Sequence, residues 1–318
     1  MSPGSPRSAL VTGGAGFIGG HLVDRLVRDG WRVRVLDDFS SGSDRNLAAS
    51  RGQFELLRGD VCAPALVQRA VDGVEVVFHQ AAIPSVPRSV AEPELTNRVN
   101  VDGTLGLLQA ARAAGVRRFV FAASCAAYGN DPQLPKREDA APQPESPYAL
   151  QKLAAEGYCT LFAKLYGFET VALRYFNVYG PRQNPQSEYA AVLPRFITAC
   201  LAGRSPTIYG DGEQTRDFVF VGDVVEANLL AADSAKAVGS VVNVAGGRRI
   251  SLNELLRAIQ SVAGTQLAPQ RGPARAGDVR HSLASLERAE ALLGYRPRTG
   301  LLDGLAVTID SYRGASAS

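Results

Sequence analysis

Cysteine and histidine are scarce in this chain, and neither is arranged as a metal site requires. The four cysteines, Cys62, Cys125, Cys159 and Cys200, are scattered, with no C-x-x-C pair and no zinc-ligand spacing. His79 is one of three histidines, and no cysteine or carboxylate stands at ligand spacing from it. We therefore predict no metal and, by default, a reducing cytoplasm.

Long apolar runs and a strong net charge are also missing. The formal charge is only +3 over 318 residues, which gives no reason to expect a nucleic acid or a membrane as partner. No apolar segment approaches the length of a membrane span, and Met1–Arg7 is polar, unlike a signal peptide. With 46% hydrophobic residues, the composition is that of a globular protein of about two domains.

Glycine, by contrast, recurs at short intervals near the start of the chain. The apolar run Ser8–Val11 is followed by T-G-G-A-G-F-I-G-G, and then His21–Arg28 has apolar residues at helical spacing. Gly13, Gly16 and Gly19 would let the backbone approach a pyrophosphate, whose charge is favourable at a helix N-terminus. The pattern predicts a dinucleotide site, with an ordinary strand–helix–strand unit as the alternative.

An acidic residue after the second predicted strand narrows the choice of cofactor. The strand Arg32–Leu36 ends in Asp37-Asp38, about 20 residues after the glycine turn. A carboxylate there accepts hydrogen bonds from the adenosine ribose hydroxyls and repels a 2′-phosphate, which favours NAD over NADP.

Strands and helices continue to alternate along the chain. The predicted strands are Phe54–Val61, Val74–His79 and Arg117–Ala122, with a helix over Asn97–Ala114 before the last. This alternation predicts an α/β fold with a doubly wound parallel sheet. Because such sheets bind ligands beyond the carboxyl ends of their strands, Asp60, the segment Gln80-Ala81-Ala82 and Ser124 would lie on the cofactor side.

The segment Ser146–Lys152 predicts the start of a helix with a reactive face. Ser146 can cap the helix and Pro147 suits its first turn; apolar residues then recur at helical spacing as far as Leu165. Tyr148 and Lys152 are four residues apart and rise from the same side. A phenol with a pKa of about 10 is only roughly one part in a thousand phenolate at pH 7. A nearby ammonium, and a cationic nicotinamide, would make it a usable base; two ordinary surface residues are the alternative.

These motifs together resemble the extended short-chain dehydrogenase/reductase superfamily. They are T-G-G-A-G-F-I-G, the acidic residues after the second strand, G-D-V, H-Q-A-A, a serine four residues before Tyr128-Gly129, and S-P-Y-x-x-x-K. Later blocks resemble the UDP-hexose 4-epimerases, particularly the branch accepting UDP-N-acetylglucosamine and its galacto epimer: L-R-Y-F-N-V-Y-G-P-R-Q, Y-A-A-V-L-P, G-D-G, T-R-D-F and R-A-G-D-V-R-H-S. Essentially the whole chain is covered.

The resemblance implies a Rossmann-type doubly wound sheet with a smaller α/β C-terminal substrate domain. It also implies that Tyr148 takes the proton from the sugar 4-hydroxyl while C4 gives its hydride to tightly held NAD. Lys152 would bind the nicotinamide ribose, and Ser124 the sugar oxygen. The implied cofactor contacts are Gly13, Gly16, Phe17, Ile18, Gly19, Asp37, Asp60, Val61, Gln80, Ala81, Ala82, Asn100, Tyr148, Lys152 and Tyr175.

The same resemblance implies a UDP-sugar site in the C-terminal region. Asn177, Arg216 and Arg275 would bind the diphosphate, a role that suits the planar, bidentate guanidinium. Tyr209 would stack on uracil and Asp278 would bind the uridine ribose. The full implied set is Ser85, Ser124, Asn177, Val192, Tyr209, Arg216, Arg275, Asp278 and Ser282.

The residues next to Ser124 favour epimerisation over its competitors. Dehydratases of this scaffold carry an Asp-Glu pair there and decarboxylases a Glu, whereas this chain has Cys125, Ala126 and Ala127. Cys125 and Ala126 replace serines that N-acetyl-accepting relatives often have, but the small Ser282 leaves room for an N-acetyl group. We therefore expect UDP-N-acetylglucosamine 4-epimerase activity with UDP-glucose also accepted. UDP-glucuronate 4-epimerisation and a catalytically silent NAD-binding regulator are the alternatives.

Two further predictions concern organisation. Residues 1–176 with 217–244 would form the NAD domain, and 177–216 with 245–318 the nucleotide-sugar domain. In the family that the chain resembles, the helices beginning near Asn97 and at Tyr148 pair in a homodimer, which we expect here as well.

Overall fold

The computed structural model describes residues 6–184, 192–274 and 280–316. Its strands are β1 Ser8–Thr12, β2 Arg32–Asp37, β3 Phe54–Arg58, β4 Val76–His79, β5 Arg118–Ser124, β6 Glu169–Tyr175, β7 Asn177–Tyr179, β8 Thr207–Tyr209, β9 Thr215–Phe220, β10 Val241–Val244, β11 Arg249–Ser251 and β12 Gln270–Gly272. Its helices are α1 Phe17–Arg28, α2 Pro64–Val71, α3 Val86–Ala91, α4 Pro93–Asn97, α5 Gly103–Ala113, α6 Pro147–Tyr166, α7 Val192–Leu201, α8 Val221–Asp233, α9 Leu252–Ala263, α10 Glu287–Leu293 and α11 Leu301–Ser316.

A central parallel sheet in the order β10-β6-β5-β4-β1-β2-β3 organises the described residues. Because helices cover both faces, β1 and β4 are buried along their whole length, and β5 and β6 at all but one residue each. One core packs beneath α1, α8 and α10, and the other beneath α2, α5 and α6. The predicted Rossmann-type doubly wound sheet is confirmed.

Element bounds differ from the sequence-based ones at turns that side chains fix. β3 ends at Arg58 rather than Val61, because the Asp60 carboxylate turns back to accept a hydrogen bond from the Cys62 amide (2.8 Å). The helix predicted over Asn97–Ala114 is α4 and α5 joined by a π-helical turn, Arg98–Asp102.

Smaller sheets lie outside the central one. β9 pairs in parallel with β7 and antiparallel with β11, and β8 pairs with β12. α7, α9 and α11 enclose a third core there. β10 joins the central sheet, whereas β9 does not, although both fall in the 217–244 segment that the sequence assigns to the NAD domain.

The long helix α6 buries a mixed face and exposes apolar residues. Gln151, Lys152 and Glu156 are buried, whereas Leu150, Leu161 and Leu165 are 57%, 47% and 63% exposed. The apolar stripe predicted on this helix therefore points largely away from the chain's own core. Among the described helices, none combines the length and the apolarity needed to cross a membrane.

Candidate active site

The glycine turn between β1 and α1 packs against the end of β4. Gly13 has a φ of +67°, and a Cβ there would lie 2.6 Å from the Ala81 amide nitrogen. A Cβ on Gly19 would collide with the Gly13 carbonyl. Gly16 is the N-cap of α1 and has no side chain to accept from the first amides, so Phe17 and Ile18 begin a helix with open N–H donors. This cradle fits the pyrophosphate of a dinucleotide.

Asp37 at the end of β2 is held by the same turn. Its two oxygens accept hydrogen bonds from the amides of Ala15 (2.8 Å) and Phe39 (2.7 Å). Burial raises the pKa of this carboxyl, while the two amides act in the opposite direction. An ionised carboxylate retains further lone pairs, so Asp37 fits the predicted role of accepting from ribose hydroxyls.

The remaining predicted cofactor residues lie along the same strand ends, and several are occupied by protein contacts. Asp60 also lies 3.6 Å from Arg98, and Val61 packs on Gly103. Gln80 donates to the Tyr175 hydroxyl at 3.1 Å, in the loop that continues through Ala81 and Ala82.

Asn100, from the π-helical turn, is buried and positions this loop. Its oxygen accepts from the Ile83 amide (2.8 Å), and its amide group donates to Gln151 (2.9 Å). Asn100 thereby ties the loop after β4 to α6.

The predicted catalytic residues meet at the carboxyl end of β5. Ser124 is the last residue of β5, and Tyr148, near the start of α6, lies close enough for the Ser124 hydroxyl to lower the pKa of its phenol. Ser146 caps α6 through the Ala149 amide (3.1 Å), and the Tyr148 amide donates to Ser89 (3.0 Å). One helical turn on, the buried Lys152 ammonium donates to a main-chain carbonyl of β5, that of Ala122, at 2.8 Å.

The pKa values of the Tyr148 phenol and the Lys152 ammonium are both shifted by burial. Burial raises the pKa of Tyr148 to about 12, although the nearby Ser124 hydroxyl acts in the opposite direction. Burial also lowers the pKa of Lys152 to about 8. Desolvation of the phenolate is thus the largest influence on the Tyr148 pKa, and the lowering expected from Lys152 and a bound nicotinamide stays a prediction.

Three of the predicted substrate residues, Asn177, Arg216 and Tyr209, lie on or beside strands of the smaller sheets. Asn177 on β7 donates to the main-chain carbonyl of Asp217 (3.1 Å), and the Arg216 charge lowers the pKa of Cys125, whose burial raises it to about 12. The thiol beside Ser124 is thus neutral and lies within electrostatic reach of Arg216. The Tyr209 ring packs over Gly272, where a Cβ would lie 2.8 Å from its Cδ1.

The other substrate residues are more scattered. Ser282 is buried and its amide donates to the Thr215 carbonyl (3.1 Å). Ser85 caps α3 by accepting from the Arg88 amide (3.1 Å), and Val192 begins α7. Arg275 and Asp278 lie outside the described residues.

His79 has a packing role. It is fully buried at the end of β4, with Thr12 on one ring nitrogen (2.7 Å) and Thr104 on the other (2.9 Å). Burial lowers its pKa to about 3, so the ring is neutral. No group of three potential metal ligands occurs in the part of the chain that the structure describes.

Sequence reasoning missed Asp217, although it stands in the T-R-D-F block next to Arg216. This carboxylate is fully buried and binds amides of two distant segments. Its adjacency to Arg216 was the available signal, but the partners at residues 246 and 284 could not be read from the sequence.

Known proteins resemble this chain over nearly its full length. The family model described as "NAD dependent epimerase/dehydratase family" matches residues 9–245. A UDP-glucose 4-epimerase of Mycolicibacterium smegmatis is 43% identical over 311 residues, which are 96% of this chain and 99% of that protein.

Solved structures agree with this assignment. A UDP-N-acetylglucosamine 4-epimerase from Methanobrevibacter ruminantium, in complex with UDP-N-acetylmuramic acid, is 39% identical with a TM-score of 0.94, covering 98% of this chain and 99% of that one. A UDP-glucose 4-epimerase from Thermotoga maritima, with UDP-glucose, is 38% identical with a TM-score of 0.93, covering 97% and 99%. The glycine cradle, the Ser124–Tyr148 pair and these likenesses together place the chain in the NAD-dependent epimerase/dehydratase family.

Proposed function

We propose that this protein is an NAD-dependent 4-epimerase of UDP-hexoses. UDP-N-acetylglucosamine and UDP-N-acetylgalactosamine would be interconverted, and UDP-glucose and UDP-galactose accepted as well. The observation that carries the proposal is the convergence of Ser124, Tyr148 and Lys152 at the carboxyl end of β5, where the Lys152 ammonium donates to the Ala122 carbonyl at 2.8 Å. Similarity to epimerases of both substrates supports it.

The side chains present can manage the proton transfers of such a reaction. When bound, NAD accepts the hydride from sugar C4 and returns it. Tyr148 takes the proton from the 4-hydroxyl and gives it back, while Ser124 hydrogen-bonds the same oxygen and keeps it aligned. The Lys152 charge, one helical turn away, favours the phenolate and opposes the effect of burial. The transient 4-keto sugar must turn over between the two transfers to present its other face.

The turn after Ser124 supports epimerisation rather than elimination. Cys125–Tyr128 forms a 3-10 turn beside Tyr148 and contains no carboxylate. The Cys125 thiol, with a pKa raised to about 12 by burial, stays protonated near neutral pH and is a weak acid. Loss of water or of carbon dioxide needs an acid or base at this place, which this turn does not supply.

The N-acetyl preference rests on the small side chain of Ser282. A large residue there would fill space next to the sugar, and we therefore expect Ser282→Tyr to suppress turnover of UDP-N-acetylglucosamine before that of UDP-glucose. Equal loss on both substrates would contradict the role of Ser282 as a size gate. Steady-state kinetics on the two substrates with the same preparation make the comparison.

The deciding experiment incubates the NAD-loaded protein separately with UDP-N-acetylglucosamine, UDP-glucose and UDP-glucuronate, and separates the products by chromatography. We expect 4-epimers of the first two. Product from UDP-glucuronate alone would favour the hexuronate alternative, and product from none would reject the proposal. Tyr148→Phe should abolish turnover while Tyr166→Phe, an exposed tyrosine on the same helix, should not; a silent NAD-binding regulator would yield no 4-epimer even as wild type.

We also propose that a second copy of this chain covers the exposed apolar face of α6. Leu150, Leu161 and Leu165 are exposed there, and Pro93 and Val101 line the adjoining groove between α6 and the α4–α5 segment. Burying such side chains is favourable by about 1.5–3 kcal/mol each. Leu161→Glu should convert a dimer to a monomer in light scattering. Leu302→Glu, at a leucine on α11 that is likewise exposed, should leave the mass unchanged.

The division into an NAD domain (1–176 with 217–244) and a nucleotide-sugar domain (177–216 with 245–318) is likewise our proposal, as is a cytoplasmic location. All four cysteines are free, which suits a reducing compartment. Cell fractionation tests the location. Limited proteolysis with and without UDP tests the domain division, since cleavage near the proposed boundaries should respond to UDP.

A further inference from the structure

Asp217 on β9 joins three segments that are distant in sequence. Its Oδ1 accepts a hydrogen bond from the Gly246 amide (2.9 Å), and its Oδ2 accepts one from the Ala284 amide (3.1 Å). Its main-chain carbonyl accepts from the Asn177 side chain (3.1 Å). The residue is fully buried, so these protein groups satisfy it in place of water.

The segments that Asp217 joins carry the proposed substrate residues. Arg216 precedes it directly, Asn177 comes from β7, and Ser282 is two residues before Ala284. Ser282 is held further by its amide, which donates to the Thr215 carbonyl at 3.1 Å. A displacement of the Asp217 side chain would therefore move these groups relative to one another.

Asp217 also lies near the reacting end of the site. Its negative charge raises the pKa of the Cys125 thiol, which the positive charge of Arg216 lowers. Both side chains are thus close enough to the residue after Ser124 to affect it electrostatically, although Asp217 itself is turned towards main-chain amides.

The chemistry of the contacts requires a carboxylate. The Gly246 and Ala284 amides donate to different oxygens of the side chain, so both oxygens must be acceptors in this arrangement. The packing is also tight: a Cβ at Gly246 would lie 3.3 Å from Asp217 Oδ1 and would collide with the Phe218 carbonyl. An asparagine of the same shape would accept one hydrogen bond and point its NH₂ group at the other donor.

We propose that Asp217 is a positioning residue for the UDP moiety: its carboxylate sets the placement of Asn177, Arg216 and Ser282 around the bound nucleotide without touching it. This inference rests on the proposed function, since it takes UDP-sugar as the ligand. It differs from a purely structural role because it predicts a loss of UDP affinity that exceeds what reduced folding stability alone causes.

The chain offers a matched control in Asp223 on α8. Asp223 is also buried and also accepts two main-chain hydrogen bonds from a distant segment, from the amides of Arg298 (3.0 Å) and Thr299 (3.2 Å). None of these three residues belongs to the proposed substrate site. Asp223→Asn therefore repeats the chemical change of Asp217→Asn at a purely structural carboxylate.

The test compares NAD-loaded wild type, Asp217→Asn and Asp223→Asn in calorimetric titrations with UDP. We expect Asp217→Asn to weaken UDP binding by about tenfold, because an unpaired buried amide relaxes by shifting its segment. Its KM for the UDP-sugar should rise with kcat within about twofold and bound NAD unchanged, while Asp223→Asn should keep wild-type affinity. Equal UDP affinities in the two variants would overturn the inference alone; a wild type that binds no UDP would overturn the proposed function with it.

Hydrogen exchange on the wild type provides a test that does not depend on folding of a variant. If Asp217 positions the UDP site, adding UDP should slow exchange of the Gly246 and Ala284 amides and leave those of Arg298 and Thr299 unchanged. The same response at both pairs, or at neither, would contradict the inference.

Discussion

Removing the carboxylate of Glu156 should destabilise the protein strongly and disturb the catalytic helix. Glu156 lies on α6 one turn beyond Lys152, and the Arg174 guanidinium on β6 binds it through Nε (2.7 Å) and Nη2 (2.6 Å). The Glu156 side chain is only 6% exposed and that of Arg174 only 3%. In strand register, Arg174 lies beside Ala123, so this pair fixes α6 against the strand that ends in Ser124.

The size of the destabilisation follows from the buried charge that Glu156→Gln leaves unpaired. Arg174 would stay buried without its counter-ion, and its Nη1 already has no hydrogen-bond partner among the described residues. Breaking a buried pair from one side costs about 3–5 kcal/mol. For a cooperative unit of 318 residues, this corresponds to a fall in Tm of about 4–8 °C.

Calorimetric or spectroscopic thermal melts of the NAD-loaded protein measure the fall in Tm caused by Glu156→Gln. Glu55→Gln is the control. Glu55 pairs with Arg34 at 2.7 Å on the surface, and its removal should cost less than about 1 kcal/mol, or under about 2 °C. Replacing both buried partners, Glu156→Leu with Arg174→Met, should restore most of the lost stability because no charge is left unpaired. Equal shifts for Glu156→Gln and Glu55→Gln, or a double variant as unstable as the single one, would refute the reasoning.

Two further predictions concern the cofactor side. Gly13→Ala should lose bound NAD, because the new Cβ would lie 2.6 Å from the Ala81 nitrogen. Gly30→Ala has a similar φ, +79°, and open space around it; both should show backbone strain of about 1–2 kcal/mol, but only the first should release NAD on gel filtration. Because burial lowers the pKa of Lys152 to about 8 from its ordinary value of 10.5, the unfolded chain binds more protons between these values, and stability should rise with pH there. In denaturant titrations, the free energy of unfolding of wild type relative to that of Lys152→Met should therefore be larger at pH 10 than at pH 8. An unchanged difference would argue against a buried ammonium.

Features set by short-range pattern could be predicted from the sequence. The glycine turn, the acidic end of β2 and the i, i+4 spacing of Tyr148 and Lys152 are local, and alternation of strands and helices was enough for the parallel sheet. Ser124 followed from its place at a strand end, where ligands of such sheets bind.

Features that depend on partners distant in the sequence could not be predicted from it. Helical periodicity identified the apolar side chains of α6, but not which neighbour covers them, and the structure buries Gln151 and Glu156 instead because Asn100 and Arg174 meet them there. The acidity of Tyr148 depends on how much of its ring is removed from water, which spacing alone does not give. Asp217 likewise acquires its importance from amides at residues 246 and 284.

The π-helical turn Arg98–Asp102 has a consequence for how this chain tolerates deletions. A turn of this kind accommodates one surplus residue in an otherwise continuous helix. Deleting Val101 from it would restore regular winding, and Asn100 would then move by one helical position, about 100°, relative to α5. Asn100 would then face away from Ile83, and the stretch after β4 would lose its tether to α6. A deletion of one residue in this turn would thus disconnect the loop after β4 from α6, both of which carry proposed site residues.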